Sequence, residues 1–143
     1  MDELLTIKSV LSTNWLSANT DNITPTFDII VNQKILDLAN NDYILLYFIN
    51  TPVQPYGMGG TSWFENNMIS IDIRTTYKNA AITDIRAHAI KLRDEVKRII
   101  KTNISYPSST IQLMLIERIM DLSDKNIGIA RFVFNVQLKH YGS

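Results

Sequence analysis

Residues 63–77, WFENNMISIDIRTTY, set Ile69, Ile71 and Ile73 against Ser70, Asp72 and Arg74. Side chains along a strand alternate between its two faces, so this period of two reads as a strand with one apolar face and one wet face. A lone strand of this kind has nowhere to bury its isoleucines, and the fold must supply a cover. The cover is encoded directly downstream. From about Asn79 to Thr102, Ile82, Ile85, Ala89, Leu92, Val96 and Ile99 recur at helical spacing, with Asp84 near the start and Lys97, Arg98 and Lys101 near the end to complement the helix dipole.

The rest of the chain supplies a second helix and further strands. Leu4, Ile7, Leu11 and Trp15 mark an N-terminal amphipathic helix, with Asp2 placed as its cap and SANTDN as its end. TFDIIV (26–31) turns Phe27, Ile29 and Val31 to one side, and YILLYFI (43–49) is a continuous apolar run that suits a strand covered on both faces. After Pro107 stops the long helix, segments 110–124 and 127–141 read as a hairpin of two strands around SDKNIG; the second turns Phe132, Phe134, Val136 and Leu138 inward and Arg131, Asn135, Gln137 and Lys139 outward. The order predicts an α+β fold: a mixed, mainly antiparallel sheet with an N-terminal helix and one long central helix packed on it, in a single domain over 1–143.

Composition narrows function mostly by exclusion. With 14 basic and 14 acidic residues in 143, the chain has no net charge to hold a polyanion in bulk. No cysteine is present for a disulfide or thiolate metal site. The opening MDELLTIKSV has acids where a signal peptide has basic residues, and no apolar run nears the ~20 residues of a membrane span, so a soluble intracellular product, or one released by lysis, is expected.

Catalytic and metal chemistry find little purchase. His88 falls at the flank of the helix stripe and His140 near the terminus, neither beside a carboxylate or nucleophile in sequence, so an edge-of-core histidine and a surface histidine are expected. Asp72, Glu117, Asp121 and Asp124 lack EF-hand spacing, and acids at turns ordinarily bind backbone amides. GMGG (57–60) lacks the Lys-Ser/Thr of a phosphate loop and leads into a strand rather than a helix. No cofactor and no metal is expected.

Two features suggest surfaces instead. TPVQPYGMGGTSWF (51–64) holds two of the four prolines and three of the five glycines, yet also Val53, Tyr56, Met58 and Trp63, apolar groups that a solvated loop tip does not need. On the central helix, Ile90 lies about 140° from the buried stripe at 100° per residue, in a band with Arg86, Arg93 and Lys97. An exposed isoleucine on an ordinary solvated face, with Asp94 pairing Arg98, is the competing reading of that band.

The opening ELLTIKSVLSTNWL, the strand DYILLYFI, the loop ending in WFENNMISIDIRT, the helix DIRAHAIKLRDEVKRII and the terminal pair IERIMDLSDKNIGIARFVFNVQLKHY together resemble the small tail-terminator and tail-completion proteins of long-tailed bacteriophages and related viruses and prophages. The resemblance runs over nearly the whole chain and lies in element order and residue character. It implies a non-enzymatic virion protein that forms a ring, usually a hexamer, on the head-facing end of the tail tube. Its partners would be further copies of itself, the tail tube protein and a head-side connector, with DNA only in transit, no membrane, and host cytoplasm as the place of assembly. The loop near Tyr56, Met58 and Trp63 would then be a docking arm, and Arg86, Ile90, Arg93 and Lys97 part of a second contact. Related neck proteins of the head-tail junction fit the same pattern. A small-ligand-binding α+β module, with the loop as lid, and an enzyme using Asp72 or His88 are the readings from other classes.

Overall fold

The computed structural model describes residues 3–29, 42–50, 53–56, 62–76, 84–104, 111, 113–123 and 128–142; for 3, 50, 53–56, 62–67 and 140–142 the description is of the backbone. Helix α1 (Glu3–Asn14) is followed by a single 3₁₀ turn (Ser17–Asn19), strands β1 (Thr26–Ile29), β2 (Tyr43–Asn50), β3 (Val53–Tyr56) and β4 (Ser62–Thr76), helix α2 (Ile85–Thr102), and strands β5 (Leu113–Asp121) and β6 (Ile129–Gly142). The strands make one six-stranded sheet in the order β1-β2-β4-β6-β5, with β3 also on β4. Among the described residues β1 and β2 pair in parallel and the other strand pairs are antiparallel. The α+β class, the mixed sheet and both helices therefore stand as the sequence predicts.

Both helices pack on one face of the sheet, where the apolar rows of β2, β4, β5 and β6 gather. Cross-strand register builds rows on that face: Ile44, Ile73 and Phe132; then Leu46, Ile71, Phe134 and Ile119; then Ile69, Val136 and Ile116. Onto these rows α1 presses Leu4, Ile7 and Leu11, and α2 presses Ile85, Ala89, Leu92, Val96 and Ile99, forming one contiguous core. Helix α2 begins after Asp84, whose carboxylate accepts the Ala87 amide at 3.0 Å, the N-cap arrangement that satisfies a free first-turn donor. Ile82, Val31 and Asp2, expected in the stripe, the first strand and the first cap, lie outside the described residues. No helix among the described residues is long and apolar enough to cross a membrane.

Four expectations need correction. The opposite face of β4 is not wet: Asp72 is fully buried and Ser70 nearly so. Asp72 sits in register between Leu45 and Val133, and the long side chains of Arg131 and Arg74 fold over it; Arg131 donates from Nε at 3.0 Å and Nη2 at 2.8 Å, and Arg74 from Nη2 at 2.9 Å. Strand β2 is covered on both faces only through Ile44, Leu45 and Leu46. It then bulges between Phe48 and Asn50, and Phe48 and Ile49 stand 41% and 49% exposed. The stretch between β2 and β4 is not all loop, since Val53–Tyr56 forms β3, paired antiparallel with Glu65–Ser62. Finally, Asp94 pairs with its neighbour Arg93 rather than with Arg98, because Arg98 is taken by the buried Glu95.

Candidate functional site

Strands β4 and β6 are longer than most, and their pairing runs from Thr76 and Ile129 out to Trp63 and Gly142. Strand β2 accompanies β4 only as far as Met68, and β3 takes its place beyond. The consequence is a three-stranded extension, β3-β4-β6, beyond the end of β2. Tyr56 and Trp63 lie on facing strands of this extension, Tyr56 opposite Ser62 and Trp63 opposite Pro55. Met58 lies outside the described residues. The register thus brings Tyr56 and Trp63 to one end of the sheet.

The helix band is arranged differently from its sequence expectation. Arg86 and Arg93, two turns apart on α2, both stack over the ring of Phe132, at 5.7 and 5.2 Å from its centroid. Arg86 also pairs with Asp121 of β5 at 2.8 Å, and the Asp121 carboxyl is held below its ordinary value first by the Ser123 hydroxyl and amide, and further by Arg86. Ile90 is half-buried against the core rather than turned out to solvent, since the band faces β5 and β6 across the flank of the helix. Lys97 is half-buried one turn beyond Arg93. The band is therefore partly engaged within the subunit.

Two polar clusters on α2 were not expected. Glu95, 2% exposed, accepts hydrogen bonds from the Leu16 amide at 2.7 Å, from Asn19 Nδ2 at 3.0 Å, and from Arg98 Nε and Nη2 at 2.8 and 2.7 Å. Arg98 Nη2 also donates to the carbonyl of Asn14, one of the free acceptors at the end of α1. Burial alone would raise the Glu95 carboxyl, but the bonds from Arg98, Asn19 and Leu16 outweigh it and hold the group below its ordinary value. The clasp ties the exit of α1 to α2.

In the first turn of α2, His88 is buried between two carboxylates. Its Nδ1 meets Asp21 Oδ2 at 2.8 Å and its Nε2 makes a short hydrogen bond with Asp42, whose other oxygen accepts the Thr75 hydroxyl at 2.6 Å. These acids come from 67 and 46 residues away in sequence, beyond the reach of any local pattern. The detectable signal was simpler: His88 and Glu95 occupy stripe positions of an otherwise apolar helix face, where an ionisable group needs a partner. Thr75 donates to Asp42 and not to the imidazole, so the cluster is no nucleophile–base pair. Among the described residues no three His, Cys, Asp or Glu side chains gather as a metal site.

No protein-family model matches the chain, and no curated protein matches it in sequence. Among solved structures, the fold is similar to that of a chain in the virion of a native gene transfer agent (GTA) particle, with a TM-score of 0.54 at 13% sequence identity, over 98% of this chain and 90% of that one. At that identity what the two chains share is a fold, laid over nearly the full length of both.

Proposed function

We propose that this chain is a virion structural protein that acts by self-association: a tail terminator that caps the head-proximal end of a tail tube as a ring, ends tube growth and offers a joining surface to the head. The observation that carries the reading is the fold it has in common, nearly end to end, with a component of a gene transfer agent virion. The resemblance in element order and residue character to tail-terminator proteins is what favours the tube end as its station.

A closed ring needs two unlike surfaces on opposite sides of the subunit, since a heterologous contact that fails to close gives a filament. The β3-β4-β6 extension, with Tyr56 and Trp63 on its strands, supplies one, together with Met58 of the intervening sequence. The flank of α2 at Arg86, Ile90, Arg93 and Lys97 supplies the other, its arginines held in place by Phe132 and Asp121 and thus pre-ordered for a partner. Further copies, the tail tube protein and a head-side connector are the partners, and DNA passes through without base readout.

The test is the mass of the purified protein by light scattering across a concentration series, followed by addition of growing tail tubes. A step from monomer to a closed species, with tubes shortened in proportion to added protein, is the expected result. A fixed monomer or dimer that leaves tube growth untouched at every ratio would overturn the proposal.

A further inference from the structure

We propose that Asp21, His88 and Asp42 form a pH-sensitive latch whose opening releases Asp21 from His88 and loosens the turn at residues 21–23, while the Asp21–Lys91 pair and the remainder of the fold stay in place. This inference stands apart from the virion reading and rests on the geometry around one imidazole.

Both ring nitrogens of His88 face carboxylate oxygens, and a carboxylate only accepts. Two such contacts need two N–H groups, so the closed latch holds an imidazolium. Burial alone would lower the affinity of this ring for its second proton; the hydrogen bonds and charges of Asp42 and Asp21 outweigh that, and the group sits above its ordinary value. The contribution of a group raised in the folded state is fully present below the unfolded value, about 6.5 for histidine, and is lost as pH rises through the folded value. The latch opens on the alkaline side.

The surroundings decide which contact breaks. From the residue before β2 comes Asp42, and from the turn after the 3₁₀ segment comes Asp21. Helix α2 adds Lys91, 2.6 Å from the other oxygen of Asp21, the cap Asp84, engaged with the Ala87 amide, and Glu95, engaged with Arg98. Strand β4 adds the neutral hydroxyl of Thr75. A neutral imidazole keeps one N–H. Asp42 is fully buried with no access to water, whereas the Asp21 side chain is 34% exposed and retains Lys91. Leaving a charge unpaired costs far more at the buried site, so the remaining proton stays on Nε2 toward Asp42, and Nδ1 presents a lone pair to Asp21.

The turn itself favours release. Asp21 and Asn22 have φ of 55° and 60°, the left-handed region that L-residues occupy at a cost. Just before them, Glu95 holds the Leu16 amide and Asn19 independently of the imidazole. Opening is thereby confined to residues 21–23, since the fully buried Thr20 keeps the Trp15 indole N–H on its hydroxyl at 3.2 Å; within those residues Asn22 donates to the Ser17 carbonyl at 2.8 Å and Ile23 to the Thr20 carbonyl at 3.0 Å.

Amide hydrogen exchange of the full chain, corrected for intrinsic base catalysis and followed from about pH 6 to about pH 9.5, tests the latch alongside NMR titration of the His88 ring. The expected result is a loss of protection at Asn22 and Ile23 on the order of tenfold to a hundredfold, the range for losing a hydrogen bond to a charged group, in step with the ring titration and with α2 amides unchanged. Asp21→Asn should lack the step and exchange fast at every pH, while Lys91→Ala should keep it. A flat profile, a step shared by α2, a step that survives in Asp21→Asn, or its loss in Lys91→Ala would overturn the proposal.

Discussion

Replacing Glu95 by glutamine removes one charge and almost no volume, at a position where four donors converge. An amide has one acceptor oxygen and one donor group, so whichever way it turns, an N–H meets either the Leu16 amide and Arg98 Nη2 or Asn19 and Arg98 Nε. The Arg98 side chain is 39% exposed and recovers water when released, which limits its share to that of a surface pair. The Leu16 amide has no such freedom, and losing a bond to a charged acceptor costs about 1.5–3 kcal/mol. The expected loss for Glu95→Gln is about 2 kcal/mol at neutral pH, a fall in Tm of roughly 6–8 °C for a chain of this size. Because the folded-state carboxyl is held below its ordinary value, its contribution is present above the unfolded value and disappears as pH falls through the folded one. Thermal unfolding of both proteins from neutral to acid pH should therefore show a gap that is widest near pH 7 and closes below about pH 4. A variant within about 0.5 kcal/mol of the parent at pH 7, or a gap that does not change with acidification, would refute the assignment of Glu95 as the charged acceptor that docks α1 on α2.

Two further perturbations separate packing from ionic pairing. Asp72→Ala strands Arg131 and Arg74, whose side chains are 30% and 21% exposed, and urea unfolding should show about 2–3 kcal/mol lost, less than a fully buried pair because both guanidinium groups reach water; Asp72→Leu with Arg131→Met should recover most of it, and a double variant as weak as the single one would deny the pairing. Leu11→Ala and Leu5→Ala compare one residue type on one helix: the first, with no exposed surface, should cost about 2–5 kcal/mol by urea unfolding, and the second, 56% exposed, less than about 0.5 kcal/mol.

What was legible in the sequence follows the range over which each signal acts. The stripes of α1, α2, β4 and β6 depend on periods of 3.6 and 2, which any short window contains, and the residues so marked fill the core. Strand β3 carries too few residues and too many turn-formers to show a period; its existence depends on β4 having length left over beyond β2. The burial of Asp72 was hidden for a related reason. Alternation assigns a face but not its cover, and the cover comes from Arg131, 59 residues away. For the helix band, the period of α2 put Arg86, Ile90, Arg93 and Lys97 on one flank, whereas the packing of Ile90 on the core and the tie of Arg86 and Arg93 to Phe132 required the β5-β6 pair to be in place.

The ionisable residues that interrupt the apolar stripe of α2 are also what fixes how α1 sits upon it. Hydrophobic burial is non-directional, so Leu4, Ile7 and Leu11 would be nearly as well covered if α1 slid or rotated a little on its neighbours. The donors that reach Glu95 and the oxygens that reach His88 allow no such slack. Those supplied by the exit of α1 come from Leu16, Asn19 and Asp21, within six residues, and land two turns apart on α2. A shift of one residue would leave Glu95 with Arg98 but without the Leu16 and Asn19 donors, and His88 with Asp42 but without Asp21, at a cost exceeding that of a modest loss of apolar contact. The helix exit is thus set by polar groups at positions where a purely apolar stripe would have sufficed for burial, and an alternative docking of α1 is disfavoured because it would break the pairs, not because it would expose the core.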